Sequence, residues 1–272
     1  MGADLARGFS IASTYAGPLV LSVTVPSSTI SGSSSASGPT VRWLGRVSYA
    51  EGLRLQEEIV ARHLAGNPQA DTILLLEHEP VFTIGRTPDR SSLGDPANLP
   101  APLIEIGRGG KATWHGPGQL VGYPILNLVR YGQDLHHYLR ALEEALIQGC
   151  LALGVPATRS PGQTGVWVGN AISPAPSLSL PFPISPNPQA LPPPSRKLAS
   201  IGVGARRWIS MHGFAINIHG PLEGFNAITP CGIESVTMTS LERERVDGLD
   251  VKLAAEHFTP FLLEQCAALH SA

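Results

Sequence analysis

The chain has 272 residues, 43% of them hydrophobic and 15% charged, and a net charge of −2. That length suits one large domain or two small ones with a sizeable core, and a charge so near neutral argues against nucleic acid as a main partner. Its apolar runs, such as residues 73–76, fall far short of the roughly 20 residues a membrane-spanning helix needs.

Residues 1–40 are rich in Ser, Thr and Gly, with one acid, Asp4, and one base, Arg7. No periodicity runs through them, so they read as a disordered leader. Poverty in acids also suits an organelle transit peptide, although the arginines of a mitochondrial presequence are missing. From Val41 the texture changes. VRWLGRV predicts a strand. Ser48 with Glu51 three residues on is a capping box that opens a helix, whose apolar face is Leu53, Leu55, Ile59, Val60 and Leu64. Gly66-Asn67-Pro68 ends it. TILLLEH and VFTIGR read as strands joined at Glu79-Pro80, and LIEIG and LVGYPILNL as two more.

Asp134 then caps a long helix, LHHYLRALEEALIQGCLALG. GVWVG, LASIGVGA and HGFAINI are short β-rich pieces, and Val251 to Leu269 returns to helical spacing. Such irregular alternation predicts a mixed α/β or α+β domain over residues 41–272, built on a largely antiparallel sheet. Residues 171–195 stand apart, with nine prolines and no charged residue. Proline removes backbone donors and fixes φ, so they read as an extended surface insertion.

Three cysteines without metal-type spacing argue against a disulfide framework or a structural zinc site. Cys150 and Cys266 fall inside helical patterns and read as buried thiols. Cys231 lies between Pro230 and Gly232, in a turn that presents its side chain, and is the one good nucleophile candidate. A thiol attacks as thiolate, so it needs a base or a cation nearby. His115, His212, His219 and Lys197 are candidates, whereas His136 and His137 read as surface or packing residues of their helix. Lys197 leads into an apolar stretch, where desolvation would lower its pKa and let it take a proton; the plainer alternative is a strand-end lysine reaching water.

The stretch RGGKATWHGPGQLVGYPILNL, residues 108–128, stacks five glycines, a cation, a histidine and a tryptophan against a strand. It is neither a Walker loop nor a dinucleotide fingerprint. Glycines let backbone N–H groups approach a ligand closely. An acyl chain, a thioester or an amide would suit it as well as a phosphate.

Taken with TGVWVG (164–169), RKLASIGV (196–203), MHGFAINI (211–218) and PCGI (230–233), this stretch resembles the signature of the octanoyltransferases of lipoate biosynthesis, the lipoyl(octanoyl) transferases. The resemblance implies the α+β fold of biotin- and lipoate-protein ligase catalytic domains, a central mixed sheet flanked by helices. It implies Cys231 as nucleophile and Lys197 as base, with no cofactor. It also implies a substrate site lined by Arg108, Gly109, Gly110, Lys111, Ala112, Thr113, Trp114 and His115, by Ser200, Ile201 and Gly202, and by Gly213, Phe214 and Ala215. Trp114 is expected as an apolar wall for the acyl chain.

The implied reaction moves an octanoyl group from acyl carrier protein, through an acyl-Cys231 thioester, to a lysine of lipoyl domains. Acceptors in the family are E2 subunits of 2-oxoacid dehydrogenases and the glycine cleavage H protein. A basic patch from Arg86, Arg108, Arg196, Arg206 and Arg207 would meet these acidic partners. The leader and the insertion lean towards a mitochondrial location. Alternatives are an ATP-dependent lipoate or biotin ligase of the same fold, a cysteine thioesterase pairing Cys231 with His115 or His212, and a non-catalytic carrier-binding protein.

Overall fold

The computed structural model describes residues 38–67, 70–86, 88–169, 196–233 and 236–271. The expected leader, apart from its last three residues, and the proline-rich insertion lie outside the described residues. The elements run β1 (Thr40–Val47), α1 (Tyr49–Leu64), β2 (Thr72–His78), β3 (Val81–Ile84), β4 (Leu103–Glu105), β5 (Thr113–His115), β6 (Gln119–Ile125), α2 (Leu135–Ala152), β7 (Ala157–Ser160), β8 (Gln163–Val168), β9 (Arg196–Arg206), β10 (Ile209–Asn217), β11 (Thr237–Met238) and α3 (Val251–Ser271).

The main sheet has the order β1-β2-β6-β10-β9-β8-β7, and β11 adds to β9. Only β1 with β2 and β11 with β9 pair in parallel, so it is a mixed, largely antiparallel sheet. Alternation along β2 divides the core. Leu74 and Leu76 pack with Ile59 and Val60 of α1 on one face. Ile73 and Leu75 join Tyr138, Leu142 and Leu146 of α2 and Phe258 of α3 on the other. Helices on both faces of one sheet make the α+β layers that the sequence predicts. Among the described residues no helix is long and apolar enough to cross a membrane.

Both long-helix starts form as expected. Ser48 Oγ accepts from the Glu51 N–H at 3.2 Å, but the Glu51 carboxylate turns to Arg54, so the reciprocal half of the box is missing. Asp134 Oδ1 accepts from the N–H groups of His136 and His137. Beyond these local signals the structure departs from the sequence reading. β2 and β3 join at Glu79-Pro80 but enter different sheets: β3 lies between β4 and β5 in a small sheet of its own. β5 itself occupies TWH, inside the stretch that reads as a glycine loop. Pairing with β3, in register Phe82↔Trp114, extends those residues against their local preference.

β10 carries a local break that shapes the site. His212 has φ +62°, and its N–H donates to Gln56 Oε1 of α1 at 2.7 Å. The pairing of β10 with β6 runs from Asn217 only as far as Phe214, opposite Gly122. Past that point Pro124, which has no N–H to give, sits in β6, and Ser210 Oγ bonds the Pro124 carbonyl and the Leu126 N–H instead.

Candidate active site

A cavity of about 390 Å³ opens where β9, β10, the 106–115 segment and the Pro230–Gly232 turn meet. That volume lies in the range of roughly 300–1,000 Å³ typical of small-molecule sites. Cys231 and Lys197 both line it.

Lys197 is held by the sheet. Its strand neighbours are Trp167 on β8 and Met238 on β11, because β11 takes the edge of β9 that β10 has left. It is 1% exposed, so the alternative of a strand-end lysine in water does not hold. Its Nζ donates to the Thr164 carbonyl at 3.1 Å and lies 4.9 Å from the centroid of the Trp167 ring. These two contacts fix where the amine points in the cavity wall.

Cys231 sits in a one-turn 3-10 segment with φ +55° and ψ +14°, a left-handed conformation for a residue with a Cβ. The turn is tied down by Cys231 N–H to the Ala112 carbonyl at 3.0 Å and Gly232 N–H to the Thr229 carbonyl at 2.8 Å. Its half-buried Sγ lies 3.7 Å from Ser200 Oγ, its hydrogen-bond partner. Burial pushes the other two thiols, Cys150 and Cys266, up to about 12, which keeps them inert at neutral pH.

Arg108 is a buried cation in the cavity wall. Its guanidinium donates to the Thr83 carbonyl, Thr83 Oγ1 and the Gly109 carbonyl. These are neutral acceptors, and no carboxylate faces it in an ion pair among the described residues. Burial pushes its pKa down, and the nearby Cys231 is the first of the groups that push it back up. A buried cation without an anion is costly, and both Arg108 and Cys231 line this cavity. The neighbouring histidines are neutral at pH 7. Burial first, then nearby cations or other histidines, brings His115 down to about 3 and His212 to about 4. His115 Nδ1 pairs with Gln119 Oε1 at 2.7 Å, and neither histidine bonds Cys231. His219 is not in the cavity wall.

Twelve of the fourteen expected substrate-site residues line the cavity: Arg108, Gly109, Gly110, Lys111, Thr113, His115, Ser200, Ile201, Gly202, Gly213, Phe214 and Ala215. Two do not. Ala112 is fully buried beneath the small sheet, where its carbonyl holds the Cys231 turn. Trp114 points away from the cavity, edge-on to Phe225 at 5.4 Å. The alternation of β5 explains this: Thr113 and His115 face the cavity, so Trp114 faces the opposite core. The apolar wall is made instead by Ile106, Leu139, Ile201, Val203, Phe214 and Ile233. The expected basic patch is also largely engaged, because Arg196 pairs with Glu244 and Arg206 with Glu57, and Arg108 is buried.

Sequence reasoning missed Tyr49, Tyr123 and the Thr164 carbonyl. The tyrosines reach the cavity from separate elements, and a backbone acceptor leaves no mark in the sequence. Glu143 was also missed, but a signal existed. It falls at helical spacing between Leu139 and Leu146, on the apolar side of α2.

Comparison with known proteins identifies the family. The family model of the lipoyl protein ligase A/B catalytic domain matches residues 48–263, and the chain belongs to that family. Within it the chain stands with the octanoyltransferases, which are acyltransferases. The octanoyltransferase of Geobacter sulfurreducens is 47% identical over 74% of this chain and 73% of its own length. That of Citrifermentans bemidjiense is 44% identical over 80% and 95%. The solved structure of protein Ta0514, a lipoate protein ligase homologue of T. acidophilum, superposes with a TM-score of 0.58 at 13% identity, over 86% of this chain and 93% of that one, and shares the fold. The octanoyltransferase relatives are bacterial, so the mitochondrial lean drawn from leader and insertion finds no support in them.

Proposed function

We propose that residues 41–272 catalyse transfer of an octanoyl group from an acyl-carrier-protein thioester to a lysine of lipoyl domains, through an acyl-Cys231 intermediate. The observation that carries this reading is the meeting of Cys231 and Lys197 in the wall of one cavity that is also lined by the buried Arg108. Lys197 takes the thiol proton. The Cys231 sulfur attacks the thioester carbonyl, and the carbon–sulfur bond to the carrier breaks. Lys197 returns the proton to the departing carrier thiolate. The target lysine then attacks acyl-Cys231 and loses its proton to Lys197, and Cys231 leaves as the thiol. Arg108 stabilises the negative charge that develops on sulfur and on the carbonyl oxygen.

Exchange of thioester for thioester is nearly balanced, and thioester to amide runs downhill, so the sequence of steps consumes no ATP. The apolar side chains around the chain exclude water from the intermediate. Burying an octanoyl tail is worth up to about 5 kcal/mol at roughly 0.8 kcal/mol per CH₂. A thioesterase built on Cys231 and a histidine is disfavoured by the Ser200 partner of the sulfur and by the separate bonding of His115. The acceptors are E2 lipoyl domains and the H protein, in a bacterial cytoplasm.

The test is intact mass after mixing with octanoyl-carrier protein without ATP. Wild type gains one octanoyl group and loses it to an added lipoyl domain. Cys231→Ser gains none. Release of free octanoate regardless of acceptor, or a normal gain by Cys231→Ser, overturns the reading.

A further inference from the structure

Lys197 Nζ donates to the Thr164 carbonyl at 3.1 Å, and the next N–H along the chain, that of Gly165, donates to Glu143 Oε1 at 3.0 Å. That carbonyl and that N–H belong to one peptide unit. A carboxylate on α2 is thereby joined to the amine through a single amide plane.

We propose that Glu143 is a positioning residue for Lys197, acting through the Thr164–Gly165 peptide. The inference rests on Lys197 being the proton carrier described above. Glu143 is fully buried, and its second oxygen takes Arg140 and Arg159. Those two arginines are about half and more than a third exposed, and Arg159 already has Glu144 beside it. Pairing two surface arginines does not require a carboxylate sunk into the core, where desolvation is expensive. The inward oxygen has a different partner, the Gly165 N–H.

Hydrogen bonds in a chain polarise one another in a low-dielectric interior. The carboxylate draws on the Gly165 N–H and leaves the Thr164 oxygen richer in charge. That oxygen fixes one N–H of the amine, and the Trp167 ring covers a second side. The rest of the amine is left for the cavity. Gly165 permits this arrangement. Its φ is +125°, and a Cβ there would strike the Ala199 carbonyl oxygen and lie 2.9 Å from Lys197 Cε. The amide plane thus rests directly against the lysine stem, where any side chain would push the two apart.

The test is a double-mutant cycle on the rate of Cys231 acylation by octanoyl-carrier protein. Glu143→Gln lowers kcat about tenfold with KM for the donor unchanged, within the range for residues in one hydrogen-bond network. In a Lys197→Ala background the same change has an effect of less than about twofold, because the group it positions is gone. Arg159→Gln, which breaks an ion pair to Glu143 but leaves Gly165 bonded, lowers the melting temperature without lowering kcat. Should Glu143→Gln not fold, Glu143→Asp, which keeps the charge but is a methylene too short for Gly165, is read in the same cycle. Losses that multiply in the double variant, or an Arg159→Gln variant as slow as Glu143→Gln, overturn the proposal. A Lys197→Ala variant that acylates at the wild-type rate overturns the proton-carrier reading, and this proposal with it.

Discussion

The backbone at Cys231 predicts a variant that is dead but more stable. A residue with a Cβ in the left-handed region costs roughly 1–2 kcal/mol relative to right-handed backbone, and Cys231 is held there at φ +55° by its Ala112 bond and by Pro230 and Gly232 on either side. Cys231→Gly relieves that strain. Glycine returns about 0.5–1 kcal/mol through the larger entropy of its unfolded chain. The side chain itself holds little, since Sγ is half-buried and its one bond, to Ser200, is long at 3.7 Å. Cys231→Ala removes the same sulfur but keeps the Cβ, so it isolates the backbone contribution. Cys231→Gly is therefore expected to exceed Cys231→Ala by about 0.5–1 kcal/mol. At roughly 2–4 °C per kcal/mol for a domain of this size, that is about 2 °C in melting temperature. Calorimetry of the two variants side by side reads the difference, and intact mass shows neither taking up octanoyl. An alanine variant as stable as the glycine variant, or more so, refutes the claim that strain is stored at the nucleophile.

Acid weakens the fold through its buried histidines. Burial holds His78 at about 4, His115 at about 3 and His212 at about 4, all below the ordinary value near 6.5. The unfolded chain binds protons that the folded one refuses, so stability is full well above pH 6.5 and falls as pH drops from there through the folded values of about 4 and about 3. At pH 5 each such histidine costs about 2 kcal/mol, and urea midpoints at pH 8 and pH 5 measure the loss; equal midpoints contradict it. Gly165→Ala meets both a strained φ and a backbone carbonyl. It is expected to destabilise by roughly 2–3 kcal/mol and to slow Cys231 acylation in the fraction that remains folded; a stable, fully active variant shows that the amide plane does not rest on Lys197.

Local signals were read well where local physics decides. Ser48 and Asp134 cap helices because their oxygens meet orphan N–H groups two or three residues ahead, and that geometry is written in the spacing. Cys231 between proline and glycine reads as a presented turn for the same reason. TWH misled because its extension comes from Val81–Thr83, about thirty residues earlier in the chain. Once β5 is a strand, its alternation turns Trp114 into the core, and no count of glycines reveals that. The arginines expected to form a docking patch are bound by partners far along the chain, Glu57 and Glu244.

What the amino-acid order determined alone is the set of helices, most of the strands, the α+β class and the residue types able to carry acyl transfer, because periodicity, caps and turn chemistry act over a few residues. Tertiary structure alone decided that Lys197 and Cys231 share one cavity wall, that Arg108 lies there with no carboxylate partner among the described residues, and that Glu143 reaches the lysine through the Gly165 amide. Each of those facts depends on which strands become neighbours, and strand pairing is settled by burying both faces of a sheet at once, a condition that no single segment can express.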